Sequence, residues 1–405
     1  DARRCAHRRP QRGADRVSWP KVPLKDLGTW TGGGTPSKVV PAFWTAGTIP
    51  WLSPKDMGAN TLAGTKDHIT ATAVQGSSVK IVPAGSVVVV VRSGILERTL
   101  PVALVPFETT LNQDMKAVTP RNDVDARWIA WGLRAFESEL LRDTRKAGTT
   151  VASIEMARFN SFTLPVPPLR EQRRIVEILE DHLSRLDAAE RELNHARTRL
   201  HQMLATAARI WLWSESGRLP FAGLFGAAHA PNSVVAQRDY QPSGRYRVVD
   251  QGATKQGRYS DAEDAVYRGP FPVIVFGDHT RRVKFATSEF AVGAQGVKLL
   301  LPRVEPRYAY WCLASLDLPS RGYGRHYAIL RRSTFPNIPL GLQKPVAERL
   351  DALEANVLRS ERELAAARAR SIILRQALLA AAFEGKLTGR HTDAEIIEEK
   401  ADGER

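Results

Sequence analysis

Apolar residues along this chain follow two different periods. In two long runs, inside residues 166–216 and 339–388, they recur at alternating four- and three-residue steps. In the first run Leu179, Leu186, Leu193, Leu200 and Ala207 stand seven apart, with a companion row of Ile175, His182, Ala189, Ala196, Met203 and Ile210. In the second the rows are Leu350, Val357, Leu364, Ser371, Leu378 and Val346, Leu353, Ser360, Ala367, Leu374, Ala381. Pro345 falls in the predicted first turn of that run, where proline is tolerated. Such rows predict two helices of about 40 residues, roughly 60 Å each, carrying the narrow apolar seam of a coiled coil. Elsewhere short β-branched runs are bounded by Gly and Pro. "KIVPAGSVVVVV" (80–91) predicts two strands around a Pro-Ala-Gly turn, "FPVIVFGDHT" (271–280) a strand entering a polar loop, and "VKLLLP" (297–302) a further strand. The chain therefore reads as α+β.

The long runs are copies of one another. "ERELNHARTR" at 190–199 returns as "ERELAAARAR" at 361–370, an offset of 171. At the same offset Pro168, Leu169, Gln172 and Leu179 match Pro339, Leu340, Gln343 and Leu350. The segments before each run repeat more faintly. "LNQDMKAVTP" (111–120) echoes "GAQGVKLLLP" (293–302), with Lys116 opposite Lys298. "ARWIAWGLRAF" (126–136) echoes "PRYAYWCLASL" (306–316), with Trp131 opposite Trp311. Each pair predicts a strand, a turn and a short helix. The order is module–helix–module–helix, from one duplicated half. The matched seams suit one another, and an antiparallel pair of long helices would separate the two modules.

Charge follows the same division. The chain has 405 residues and a net charge of +15. Residues 1–165 carry a net +8, 166–216 none, 217–335 again +8, and 336–405 a net −1. Two basic modules on a neutral scaffold suggest a polyanionic partner. The expected divisions are a disordered basic arm (1–16), a first module (17–165), a central helix (166–216), a second module (217–338), a distal helix (339–388) and a charged tail (389–405). No run of 18 apolar residues predicts a membrane span, and the N-terminal stretch lacks the apolar core of a secretory signal. Cys5 and Cys312 form no C-x-x-C pair, so a zinc finger or disulfide framework is not expected, and a reducing, cytoplasmic setting fits. Cys312 sits in an apolar helical stretch and reads as a buried small hydrophobe.

Candidate chemistry lies in the loops of the modules. Arg, Lys, Asn, Gln and Gly interleaved with aromatics suit duplex recognition: Arg pairs with guanine, Asn or Gln with adenine, and Gly admits close backbone approach to phosphate. The candidates in the first module are Gly33, Thr35, Lys55, Arg92, Ser93, Lys116 and Lys146. Those in the second are Lys255, Arg258, His279, Thr280, Arg281, Arg282, Arg325 and His326. Gly32–Gly34 reads equally as a phosphate cradle or a plain turn, since no Walker A pattern is present. Trp44 and Trp51 read better as packing residues than as base-stacking platforms. Asp278, His279 and His326 form no expected catalytic set, because no nucleophile elbow or metal spacing accompanies them. Neither an amino-methyltransferase tetrapeptide nor a nuclease core is found, so no catalytic residue or metal ligand is assigned.

These residues resemble a known family, the DNA-specificity subunits of type I restriction–modification systems. The marks are "GGGTPS", "FWTAGTIPWLSPKDM", "LNQDMKAVTP" and "AGTTV" in the first module, and "PVPPLREQRRIVEILEDHLSRLD" opening the central helix. "FGDHTRRVKF", "GAQGVKLL" and "YGRHY" follow in the second, and "LRQALLAAAFEGKLT" (374–388) closes the distal helix. The second helix starts with "IPLGLQKPVAERL", which has no Glu-Gln pair. The resemblance implies two target-recognition domains on an antiparallel helix pair, each reading half of a bipartite DNA site. It implies that two modification (methyltransferase) subunits dock on the helices, Leu179, Leu186, Leu193, Leu200, Leu350, Val357, Leu364 and Leu378 forming the coiled-coil seam. S-adenosylmethionine would then belong to the modification subunit, and ATP and Mg to a restriction/translocase subunit, with no cofactor on this chain. A coiled-coil adaptor that binds proteins without sequence-specific DNA contact is the alternative, and the two +8 modules weigh against it.

Overall fold

A computed structural model of the chain describes residues 19–146, 151–214, 217–252, 258–293, 295–319 and 325–388. The expected arm and tail lie outside the described residues. Contacts divide the chain into two units, one of residues 1–190 with 368–405, the other of 191–367. Both cuts fall inside the long helices, so each unit holds one module and part of each helix.

The first module contains β1 (Lys21–Pro23), β2 (Gly28–Gly32), β3 (Ile49–Leu52), β4 (Asp67–Ile69), β5 (Ile81–Val82), β6 (Ser86–Val90), β7 (Val102–Val105), β8 (Thr109–Leu111), β9 (Met115–Pro120) and β10 (Thr163–Pro165), with helix α1 (Ala126–Ala135). Its sheets run β2-β9-β6-β7 and β4-β3-β8-β5, and β1 pairs with β10. The second module contains β11 (Gly217–Pro220), β12 (Phe225–Ala227), β13 (Tyr246–Val249), β14 (Tyr259–Ser260), β15 (Val266–Tyr267), β16 (Val273–Gly277), β17 (Val283–Ala286), β18 (Phe290–Val292), β19 (Val297–Pro302) and β20 (Thr334–Asn337). Its sheets run β12-β19-β16-β17 and β14-β13-β18-β15, and β11 pairs with β20. Adding ten to each strand of the first module reproduces the second. Even the parallel pairing among the named strands of each module repeats, β3 with β8 and β13 with β18. "KIVPAGSVVVVV" does form two strands, but β5 and β6 join different sheets, and Gly85 turns the chain between them at φ +82°.

The long helices follow as α2 (Leu169–Trp213) and, after α3 (Pro306–Ala314), α4 (Leu340–Phe383). Within the first unit α2 rises as α4 descends: Glu171 bonds Thr388, and Asp187 pairs with Arg375 at 2.5 Å. Within the second, His201 Nε2 lies 2.8 Å from Glu361 and Arg349 stacks on Trp211. Both contacts are antiparallel.

The seam of α4 is as expected: Leu350, Val357 and Leu378 are buried and Leu364 is half-buried. The companion row of α2 departs from expectation. Met203 is 46% and Ile210 55% exposed, while Leu183, Ala208 and Leu212 are buried. A straight α-helix drifts about 20° per heptad against a strict seven-residue repeat. The inward face therefore advances in four-residue steps, Ile175–Leu179–Leu183 and Leu200–Leu204–Ala208–Leu212, and leaves Met203 and Ile210 outside. Each end of α2 also serves a module core, with Trp128 and Trp131 against its first half and Tyr308 and Trp311 in the cluster at its second. Leu186, Leu193 and Leu200, between these ends, are only half-buried. Pro345 lies past the first turn, since α4 begins at Leu340.

The two module helices seat on the long helices through one repeated set of bonds. Gln172, fully buried, accepts the N–H of Asp125, the N-cap of α1, at 2.9 Å, and donates to the carbonyls of Pro167 (2.7 Å) and Asp123 (3.0 Å). Gln343 does the same for Glu305, the N-cap of α3, at 3.2 Å, and donates to Ile338. Trp128 donates its indole N–H to Pro165, and Tyr308 its hydroxyl to Pro336, each ring fully buried.

Candidate nucleic-acid interface

The end of β6 and the turn joining β8 to β9 form one rim of the first module. Val91 and Arg92 both donate backbone N–H to the carbonyl of Asp114, at 2.8 and 3.3 Å. The Arg92 guanidinium lies 3.3 Å from the Asp114 carboxylate, yet its side chain is 61% exposed. Ser93 is fixed by its N–H to Ala152 O at 2.9 Å, and Lys146, also exposed, donates its N–H to Ser153. Asn112 is buried and accepts the N–H of Asp114, which leaves Gln113 exposed at the turn, bonded by the Thr35 hydroxyl. Lys116 lies on β9 opposite Val89.

The triglycine is not a free turn. A Cβ on Gly33 would stand 1.9 Å from the Asn112 carbonyl oxygen, so the backbone is packed against the rim with no room for a side chain. Trp51 is buried and donates to Gly34 O at 3.0 Å, and Trp44 packs edge-on against it. Both serve as packing residues. Lys55 stands apart from the rim, 2.5 Å from Asp67, a bond that raises its ammonium pKa.

The second module carries the equivalent rim with different side chains. Val90 pairs with Met115 and Gly277 with Val297 at the same ladder end. Counting from there, His279 occupies the place of Arg92, Thr280 that of Ser93, and Lys298 that of Lys116. Gln251 ties this rim together: its amide donates to Gln295 O at 3.0 Å and accepts from His279 N–H at 3.2 Å, and its carbonyl accepts the Thr280 hydroxyl at 2.6 Å. Gln295 is exposed, as is Gln113 in the first module. Arg282 and Arg325 are exposed.

Three further expected contact residues also have internal bonds. His326 is 1% exposed, its N–H and Nδ1 both directed at the Asp278 carbonyl, at 3.0 and 2.8 Å. Facing an acceptor, Nδ1 is the protonated nitrogen. His326 holds the rim from beneath and is corrected from a contact residue to a support. Arg258 donates to Asp250 at 2.8 Å over the ring of Tyr240. Arg281, in the left-handed region at φ +59°, donates to Leu318 O at 2.5 Å. Lys255 lies outside the described residues.

Below this rim Asp250 gathers Arg258, Lys284 at 3.2 Å, the Gly252 N–H at 2.9 Å and the Tyr240 hydroxyl at 3.2 Å. Burial alone would raise the Asp250 carboxyl, but the Gly252 bond and the two cations outweigh it and hold its pKa below the usual range. Burial lowers the Lys284 ammonium, and Asp250 offsets part of that shift. Burial and the Asp250 charge push Tyr240 upward. Among the described residues, no group of three His, Cys, Asp or Glu side chains is placed to hold a metal ion, and no helix is long and apolar enough to cross a membrane.

Sequence reasoning missed Gln113, Gln251, Gln295 and Lys284. Lys298 was visible as the partner of Lys116 in the repeat, and a Gln stands three positions before the Lys in both aligned stretches, "NQDMK" and "AQGVK".

Known proteins share sequence and fold with this chain. Residues 16–196 match the model of the type I restriction modification DNA specificity domain. The Type I restriction enzyme EcoR124I/EcoR124II specificity subunit of Escherichia coli is 48% identical over 157 residues, 39% of this chain and 39% of that protein. The Type I restriction enzyme MjaIX specificity subunit of Methanocaldococcus jannaschii is 28% identical over 165 residues, 40% of this chain and 37% of that protein. The matches thus span about two-fifths of the length of these curated relatives. A chain from a solved structure of the type I R-M system shares the fold with a TM-score of 0.73 at 18% identity, covering 91% of this chain and 98% of that one. The HsdS subunit from Thermoanaerobacter tengcongensis does so with a TM-score of 0.54 at 18% identity, covering 91% and 97%. Residues 16–196 of the chain are thus similar to the DNA specificity domain of type I restriction–modification systems.

Proposed function

We propose that the chain is the non-catalytic sequence-reading subunit of a type I restriction–modification complex, each module reading one half of a bipartite duplex site. The observation that carries this reading is the pair of equivalent rims: Arg92, Ser93 and Lys116 in one module stand where His279, Thr280 and Lys298 stand in the other. Equal scaffolds place cations and amides at the same ladder positions, and different side chains on them give different base preferences. Lysines and arginines of the rims meet phosphate and fix register, while Arg92 and His279 approach base edges.

Two modification subunits dock on the helix pair in this reading and carry S-adenosylmethionine. Restriction/translocase subunits carry ATP and Mg, and this chain holds no cofactor. The setting is the cytoplasm, where host DNA is methylated. The test is competitive binding of the full chain, with its modification subunits, to a random duplex library at rising salt. A bipartite consensus with steep salt dependence supports the reading. Salt-independent binding without a consensus favours the protein-only adaptor.

A further inference from the structure

In each unit one carboxylate on a long helix accepts from two residues of the module helix. Glu180 of α2 accepts the Trp131 indole N–H at 3.0 Å and the Arg127 guanidinium at 3.3 Å. Asp351 of α4 accepts the Trp311 indole N–H at 2.7 Å and Arg307 Nε at 2.9 Å. Both indoles are more than nine-tenths buried. Trp131 and Trp311, like Arg127 and Arg307, are 180 positions apart, whereas Glu180 and Asp351 are 171 apart. The second unit has therefore lost nine residues between module helix and long helix, and the bonds across the gap are unchanged. Chain connectivity does not enforce that; the geometry of the joint does.

The acid itself differs, Glu in one unit and Asp in the other, a methylene shorter, with Arg307 presenting Nε and Nη2 where Arg127 presents Nη1. What the two units share is an acceptor that fixes a rigid indole and a planar guanidinium at once. Two directional bonds from residues one helical turn apart set both the position of the module helix and its rotation about its own axis. Apolar packing alone is not directional and permits sliding.

We propose that Glu180 and Asp351 are positioning residues that hold each recognition module in one orientation on its long-helix segment and thereby restrict the spacer length accepted between half-sites. The inference rests on the reading given under Proposed function. It is tested with the full chain and its modification subunits on duplexes carrying the two selected half-sites at graded spacings. Wild type should prefer one spacing. Glu180→Ala should reduce that preference by about tenfold, through loss of its part-buried bonds to Trp131 and Arg127, with base preferences within each half unchanged. Glu180→Gln, which keeps an acceptor for the indole, should restore the preference. Trp131→Phe, which keeps the ring and deletes the N–H, should imitate Glu180→Ala and serves if that variant does not fold. Retained spacing preference in Glu180→Ala or Trp131→Phe overturns the inference, as does loss of base and spacing preference together. Absence of any bipartite consensus with wild type overturns the functional reading, and the inference with it.

Discussion

The buried amide of Gln172 accepts the backbone N–H of Asp125 at 2.9 Å, tying the N-cap of a module helix to the first turn of a long helix 47 positions later. Asp125 already caps α1 by accepting the Arg127 N–H at 2.8 Å. Gln172 thus satisfies the cap residue's own donor while its NH₂ group satisfies two carbonyls. Gln172→Ala leaves three backbone groups without that partner and should destabilise the first unit by about 2 kcal/mol. Gln343→Ala should do the same for the second. Denaturant unfolding followed by the tryptophans of each unit measures both.

Inward and outward residues of α2 differ sharply at adjacent positions. Leu212→Ala removes a buried side chain and should cost about 3 kcal/mol. Met203→Ala, on the exposed face, should change stability by less than about 0.5 kcal/mol. Thermal melts of the two variants distinguish this register from the strict seven-residue row, which places Met203 inside.

The two long helices were legible because their apolar rows are local and uninterrupted, and because "EREL" repeats in register. The register within α2 was not, since a seven-residue row and a helical stripe diverge only over several turns. The strands "VKLLLP" and "SVVVVV" were legible as β-branched runs. Their sheet order was not, because the parallel pairing of Trp51 with Thr110 joins residues 59 apart through a contact no local pattern encodes. At the candidate site, Arg92 and His279 were found from residue type, and the repeat already paired Gln172 with Gln343 and Trp131 with Trp311. Their role stayed hidden because Glu180 lies 49 positions from Trp131. His326 was misread because a polar side chain in a Gly-rich loop looks exposed until its partner, the Asp278 carbonyl, is placed.

The ion cluster around Asp250 predicts an acid limb in stability. Its carboxyl titrates at its ordinary value of 3.8 when unfolded and lower when folded. The stabilisation is therefore complete above that ordinary value and is lost as pH falls through the depressed one. Asp250→Asn should flatten this limb in a pH series of melting curves. Asp250→Ala should cost about 3 kcal/mol at neutral pH, because the half-buried Lys284 loses its counter-charge.

Lys116 and Lys298 should act on affinity rather than on sequence choice. Replacing either by Ala should lower the slope of log K against log salt by about 1 and leave the consensus unchanged. Binding titrations across salt concentrations check this.

The most direct test of the two-reader account is a map of methylated adenines in cells carrying this chain with its modification subunits. Wild type should mark one bipartite motif that disappears without the chain, Arg92→Ala should relax one half of it, and His279→Ala only the other. A motif unaffected by removal of the chain, or one in which a single substitution erases both halves alike, would contradict it.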